Sequence, residues 1–263
     1  MAGDRGVALV AGGAGGIGGA IARRLHGDGF DVMVADVNEE GVTRLSDEIG
    51  ATRRFVGDLT EDALARKAVE VARDGGRLAA LVCTQGISPK KDGRKPTLED
   101  ISAEEWDAVL AVNLKVPFLL TKAAHAHLDP GGGGIVMITS VQAKLGSSGP
   151  DEERGFPPWT PAGAHYSASK AGLSNLVVSL ARELAPEGIR VNGIAPGYIA
   201  VGGVGGMGGS SPRDLDRVMK SQVPLGRAGT PEEVASVVSF VLSSEAAYMT
   251  GEIVTIGGGW AAG

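Results

Sequence analysis

Ala11-Gly12-Gly13-Ala14-Gly15-Gly16-Ile17-Gly18 is the stretch on which the fold turns. The apolar run 7–11 precedes it and suits a short strand. Ile17, Ala20, Ile21 and Leu25 follow at the spacing of a helix's buried face. A second apolar run, residues 30–35, ends on Asp36. Strand, glycine turn, helix, strand is a βαβ unit. Small residues in such a turn let the backbone approach a diphosphate, and the helix N-terminus turns its unbonded amides toward the negative charge. Gly12, Gly15, Gly16 and Gly18 are therefore candidate dinucleotide-binding residues.

Asp36 closes the unit. A carboxylate at this strand end can accept both hydroxyls of an adenosine ribose and repels a 2′-phosphate. Val37 and Asn38 follow, with no arginine to receive that phosphate. NAD is expected over NADP. Asp58-Leu59, after the next strand, offers a second acid. Its chemistry fits the adenine edge or a turn cap equally well.

The alternation runs on through the chain. Residues 52–56 read as a weak strand, and 61–74 as a helix with Thr60 as N-cap. Residues 78–83 form a strand, and 102–128 a helix or two, bent near Pro117. Residues 135–140 are a strand, 167–184 a long helix, and 189–194 a strand ending near Pro196. Residues 231–243 are a helix, with Thr230 as cap, Pro231 first, and Glu232 and Glu233 in its first turn. A last strand covers 254–256. Strands without clean alternation suit a parallel sheet covered on both faces. The expectation is one doubly wound α/β domain over residues 1–263, a Rossmann-type fold with a mostly parallel seven-stranded sheet flanked by helices.

Composition narrows the function. The chain has 263 residues, 31 acidic against 25 Lys and Arg, and a formal charge of −6, so no basic stripe points to nucleic acid. Cys83 is the sole cysteine, and no spacing suggests a metal site. No run of apolar residues reaches the length of a membrane span, and no signal segment opens the chain. A cytoplasmic protein with no membrane or nucleic-acid partner is expected.

Four further residues carry candidate chemistry. Tyr166 and Lys170 are four apart, in Tyr-Ser-Ala-Ser-Lys, on one helical face. An ammonium near a phenol favours phenolate and is expected to lower its pKa. A tyrosine so poised can exchange a proton with an alcohol or carbonyl. Ser140 ends a strand on the glycine-loop side, where its hydroxyl can hold the substrate oxygen. Asn113 sits within a helix, where its side chain can fix a water or a backbone bend.

This ordered set resembles the classical short-chain dehydrogenase/reductase family. The similarity covers the glycine motif at 12–18, Asp36, Asp58, Asn113, Ser140, Tyr166-x-x-x-Lys170, Pro196-Gly197, Thr250-Gly251-Glu252 and Gly257-Gly258. It implies that Asn113, Ser140, Tyr166 and Lys170 are the catalytic set, and that Ile17, Asn113, Tyr166, Lys170, Gly86, Leu59, Pro196, Gly197 and Ile199 also serve cofactor binding. It further implies a homotetramer or homodimer built through the helices around Asn113 and Tyr166. The chain departs from the family in four places. Ala11 stands where a loop-tying threonine is usual. Cys83-Thr84-Gln85-Gly86 replaces an Asn-Asn-Ala-Gly. Tyr198-Ile199-Ala200 follows Pro196-Gly197 without the usual threonine. An insertion at about 145–163, carrying Phe156 and Trp159, and a glycine-rich lid at about 198–220 are expected near the substrate.

The expected activity is NAD-dependent interconversion of a secondary alcohol, such as a cyclic alcohol, diol or polyol, and its ketone. Two alternatives stand beside it. One is reduction of 3-oxoacyl thioesters, disfavoured because Gly131 and Glu187 occupy positions where such reductases tend to be basic. The other is a non-catalytic NAD-binding regulator, disfavoured by the intact four-residue set.

Overall fold

The computed structural model describes residues 5–74, 76–91, 95–130, 132–146, 163–201 and 219–261. Seven strands form one parallel sheet: β1 (Val7–Ala11), β2 (Asp31–Asp36), β3 (Arg53–Val56), β4 (Leu78–Cys83), β5 (Gly134–Ile138), β6 (Arg190–Pro196) and β7 (Ile253–Ile256). Their order is β3-β2-β1-β4-β5-β6-β7. The order reverses between β1 and β4, and open α/β sheets bind ligands at the carboxyl ends of the strands beside such a reversal.

Strands β1, β4 and β5 are buried along their whole length, as a sheet covered on both faces requires. One layer packs α1 (Gly16–Gly27) and α2 (Glu39–Ile49), through Ile21, Leu25, Val42 and Leu45, with α8 (Pro231–Leu242), through Val234 and Val238. The other packs α3 (Asp62–Arg73), α5 (Val116–Ala124) and α7 (Ala164–Leu184), through Val69, Leu120, Leu173 and Val177. Each helix spends its apolar stripe on the sheet.

Several elements differ from their sequence-based bounds. Helix α2 was not expected at all. Thr60 does not cap α3; its hydroxyl and amide both donate to Asp58 Oδ1, and Glu61 takes the N-cap position. Strand β5 stops at Ile138, because Ser140 Oγ accepts the Gln142 amide and turns the chain into the short α6 (Gln142–Leu145). Helix α7 begins at Ala164, before Tyr166 rather than after it.

The bend near Pro117 is a π turn, Ala111–Lys115, set between α4 (Ala103–Leu110) and α5. Proline has no N–H, and its ring collides with the carbonyl four residues back. For Pro117 that carbonyl belongs to Asn113. The ladder widens there, and the Val116 amide donates to Ala111 O instead. Such turns recur at functional sites.

The inserted stretch with Phe156 and Trp159, most of the glycine-rich lid segment, and Gly131 lie outside the described residues.

Candidate active site

The glycine loop leaves β1 at Ala11 and enters α1 at Gly16. Gly12 has φ +80°, and a Cβ there would sit 2.5 Å from the Gln85 amide nitrogen. A Cβ at Gly18 would enter the Gly12 carbonyl. Only glycine fits either place. No side chain caps the N-terminus of α1, so its first amides remain available to an anion.

Two contacts hold the loop. Asp36, the last residue of β2, accepts from the Ala14 amide at 3.1 Å and from the Asn38 amide at 3.1 Å. Thr84 Oγ1, just beyond β4, lies 2.9 Å from both the Ala11 and Gly12 carbonyl oxygens, to which it donates. The hydroxyl missing at Ala11 is thus replaced from the neighbouring strand. The sequence showed the loss and not the substitute, because β1 and β4 become neighbours only in the sheet.

Two adjoining cavities open at this edge. One, of about 280 Å³, is lined by Gly12, Gly15, Asp36, Asp58 and Leu59. Two carboxylates and no lysine or arginine face it among the described residues. The other, of about 300 Å³, contains Ile17, Ser140, Tyr166, Lys170, Pro196 and Gly197 in its wall, with Ile199 beside them. Thr84 and Gly86 border both, so the two form one cleft across the strand-order reversal. Its glycine cradle, bare helix terminus and paired acids fit a dinucleotide.

Asn113 is fully buried and does not line the second cavity. Its Oδ1 accepts the Ile87 amide at 2.8 Å; its Nδ2 donates to Ile87 O and to Ser169 Oγ, each at 3.0 Å. It ties the loop after β4 to α7, at the residue before Lys170. Gly86 completes that junction: a Cβ there would stand 3.2 Å from Lys170 Nζ.

Ser140 and Tyr166 stand together in the wall of the second cavity. Burial raises the phenol's pKa, and the Ser140 contact works against that rise. The lowering expected from Lys170 is not seen. Lys170 Nζ lies 5.9 Å from the Tyr166 ring centroid and donates to Ile138 O at 2.8 Å. Burial pushes Lys170 itself down to about 8, opposed by the neighbouring Cys83.

Sequence reasoning missed several residues of this region. His165, next to Tyr166, is fully buried, and its Nε2 lies 2.9 Å from Glu105 Oε1, fastening the start of α7 to α4. Lys90, Gln142, Tyr198 and Trp260 also line the second cavity. A lone lysine or tryptophan carries no local pattern, so only the fold could gather them.

The chain belongs to the short-chain dehydrogenase/reductase family, whose members use a nicotinamide cofactor. A family model described as enoyl-(acyl carrier protein) reductase matches residues 12–261. Among curated proteins, the chain is 34% identical to a 3-oxoacyl-[acyl-carrier-protein] reductase of Thermotoga maritima, over 96% of each chain. It is 34% identical to cis-4-hydroxycyclohexanecarboxylate dehydrogenase of Sinomonas cyclohexanicum, over 97% of this chain and 96% of that one. A solved 3-oxoacyl-[acyl-carrier protein] reductase of Brucella melitensis with bound NAD superposes with a TM-score of 0.81 at 28% identity, covering 98% and 91% of the two chains. A metagenomic blue fluorescent protein in complex with NADPH gives 0.82 at 29%, covering 97% and 98%.

Proposed function

We propose that the protein is an NAD-dependent dehydrogenase that interconverts a small secondary alcohol and its ketone. The observation that carries this reading is the convergence of Tyr166, Ser140 and Lys170 on one cavity with Pro196 and Gly197. The bound nicotinamide supplies the hydride acceptor or donor. Tyr166 takes the hydroxyl proton in oxidation and returns it in reduction. Ser140 steadies the charge that develops on the substrate oxygen. Lys170, held by Ile138 O, positions the ribose and keeps a positive charge beside the phenol. Asn113 acts by fixing the loop after β4 against α7. Gly12, Gly15, Gly16, Ile17 and Gly18 receive the diphosphate, and Asp36 the adenosine ribose. Asp58, Leu59 and Gly86 border the adenosine half, while Pro196, Gly197 and Ile199 border the nicotinamide.

The preference for NAD rests on charge. Asp36 and Asp58 face the adenosine half with no cation among the described residues to balance a 2′-phosphate. The reading of a small alcohol in place of an acyl thioester rests on the absence of a basic docking residue at Glu187, which is exposed and 3.5 Å from His125. The thioester reductases among the relatives keep that reaction as the second reading.

The test is reduction of a panel of cyclic and acyclic ketones, with NADH and NADPH in parallel, by the parent and by Tyr166→Phe. Turnover with NADH is expected, with a loss of at least about a thousandfold in the variant and retained NADH binding. Equal turnover by Tyr166→Phe would end the acid/base assignment.

A further inference from the structure

The two halves of the cleft differ in charge. The adenosine half carries two carboxylates and no cation; the half with Tyr166 carries two ammonium groups, Lys90 and Lys170, and no carboxylate among the described residues. The whole chain is acidic, with a net charge of −6, so this local reversal runs against its composition. Lys170 is engaged by Ile138 O. Lys90 stands on the loop after β4, and no described carboxylate pairs with it.

Other donors share that wall. Trp260, 7% exposed, lines the cavity, and its Nε1 finds no acceptor among the described residues. Tyr198 packs against it with ring centroids 5.2 Å apart, and its hydroxyl is likewise unpartnered. An ammonium and an indole N–H donate only; an ionised carboxylate accepts only. The complement of this wall is an anionic acceptor.

We infer that the substrate is a small oxo- or hydroxy-carboxylate, anchored through its carboxylate by Lys90 while Tyr166 and Ser140 engage its carbonyl or carbinol oxygen. The inference rests on the hydride-transfer reading above. Lys90 is exposed at the cavity rim, where partial desolvation lowers its pKa, an effect an incoming anion offsets.

The experiment compares 4-oxocyclohexanecarboxylate with its methyl ester, in the parent, Lys90→Met and Lys90→Arg. The parent is expected to favour the acid in kcat/KM. Lys90→Met should lower the acid-to-ester ratio by about tenfold to a hundredfold, the range of a charged hydrogen bond, and Lys90→Arg should keep most of it. An unchanged ratio overturns the anchor. So does a parallel loss of NADH affinity in Lys90→Met, which would assign the ammonium to the cofactor's phosphates. A Lys90-dependent preference shown only by 3-oxobutanoyl-coenzyme A overturns the small-carboxylate assignment as well. Calorimetric titration of the NADH complex with cyclohexanecarboxylate and its methyl ester reads the anchor without turnover. Tighter binding of the acid, lost in Lys90→Met, supports it even if no ketone is reduced; equal binding of acid and ester removes it even if neutral ketones turn over well.

Discussion

At the scale of single residues, the site is a set of small substitutions for one another. Thr84 does from β4 what a threonine at position 11 would do from β1. Thr84→Val keeps the shape and removes one donor shared between two carbonyls, at a cost of about 1 kcal/mol. NADH affinity is expected to fall about fivefold by fluorescence titration. Adding Ala11→Thr should recover part of that loss; no effect of Thr84→Val would show that Asp36 alone holds the loop. Lys170 ties pH to stability. Its ordinary pKa of 10.5 falls to about 8 in the fold, so between pH 8 and 10.5 the unfolded chain holds the proton that the folded one has lost. This contribution makes stability rise with pH across that window, after a penalty of ~3 kcal/mol below it. Lys170→Met should therefore have a higher Tm than the parent at pH 7, with the gap closing by pH 10. A variant less stable than the parent at pH 7 would show that the bond to Ile138 O outweighs the burial cost. The glycine cluster and the Tyr166–Lys170 spacing are short local patterns, and Asp36 and Ser140 stand at strand ends, so the sequence could point to them as candidates. Thr84 and His165 were not legible, because their partners are distant in sequence, and Lys90 was not, because only the fold brings it to the cavity.

At the scale of elements, the strands were readable and the helix ends less so. Helix α2 carried signals that went unread: Asn38 accepts the Gly41 amide as N-cap, Glu39 and Glu40 fill the first turn, and Val42, Leu45 and Ile49 form the buried stripe. Asp36 drew the reading toward ligand chemistry at the point where a cap begins. Gly50 ends the helix at φ +66°, with nothing near the place of a Cβ. Gly50→Ala therefore tests backbone conformation alone. A loss of about 1 kcal/mol is expected in urea unfolding, with kinetics unaltered; no loss would mean the turn relaxes out of the left-handed region. The π turn was legible only as a disturbance near Pro117. Its type depends on which carbonyl loses its partner, and that falls on Asn113 because it lies four residues before the proline.

At the scale of the molecule, one outer face is apolar without a described covering. Leu110, Leu114, Phe118 and Leu176 line a shallow depression across α4, the π turn, α5 and α7, and Phe118 is 43% exposed. A charged substitution there tests whether copies of the chain meet through this face. Phe118→Glu is expected to yield smaller species by light scattering, with the far-ultraviolet spectrum retained; an unchanged mass would place the contact elsewhere. No described helix is long and apolar enough to cross a membrane. The π turn is part of this face too. It spends more residues per turn than an α-helix, in which each residue advances the chain by about 100°. Removing one residue from 111–115 would let an ordinary α turn close there, leaving Phe118 on the outer face while it withdraws Asn113 from Ile87. The extra residue between Leu110 and Val116 thus serves the inner site, and its loss would be felt there while the outer surface keeps its register.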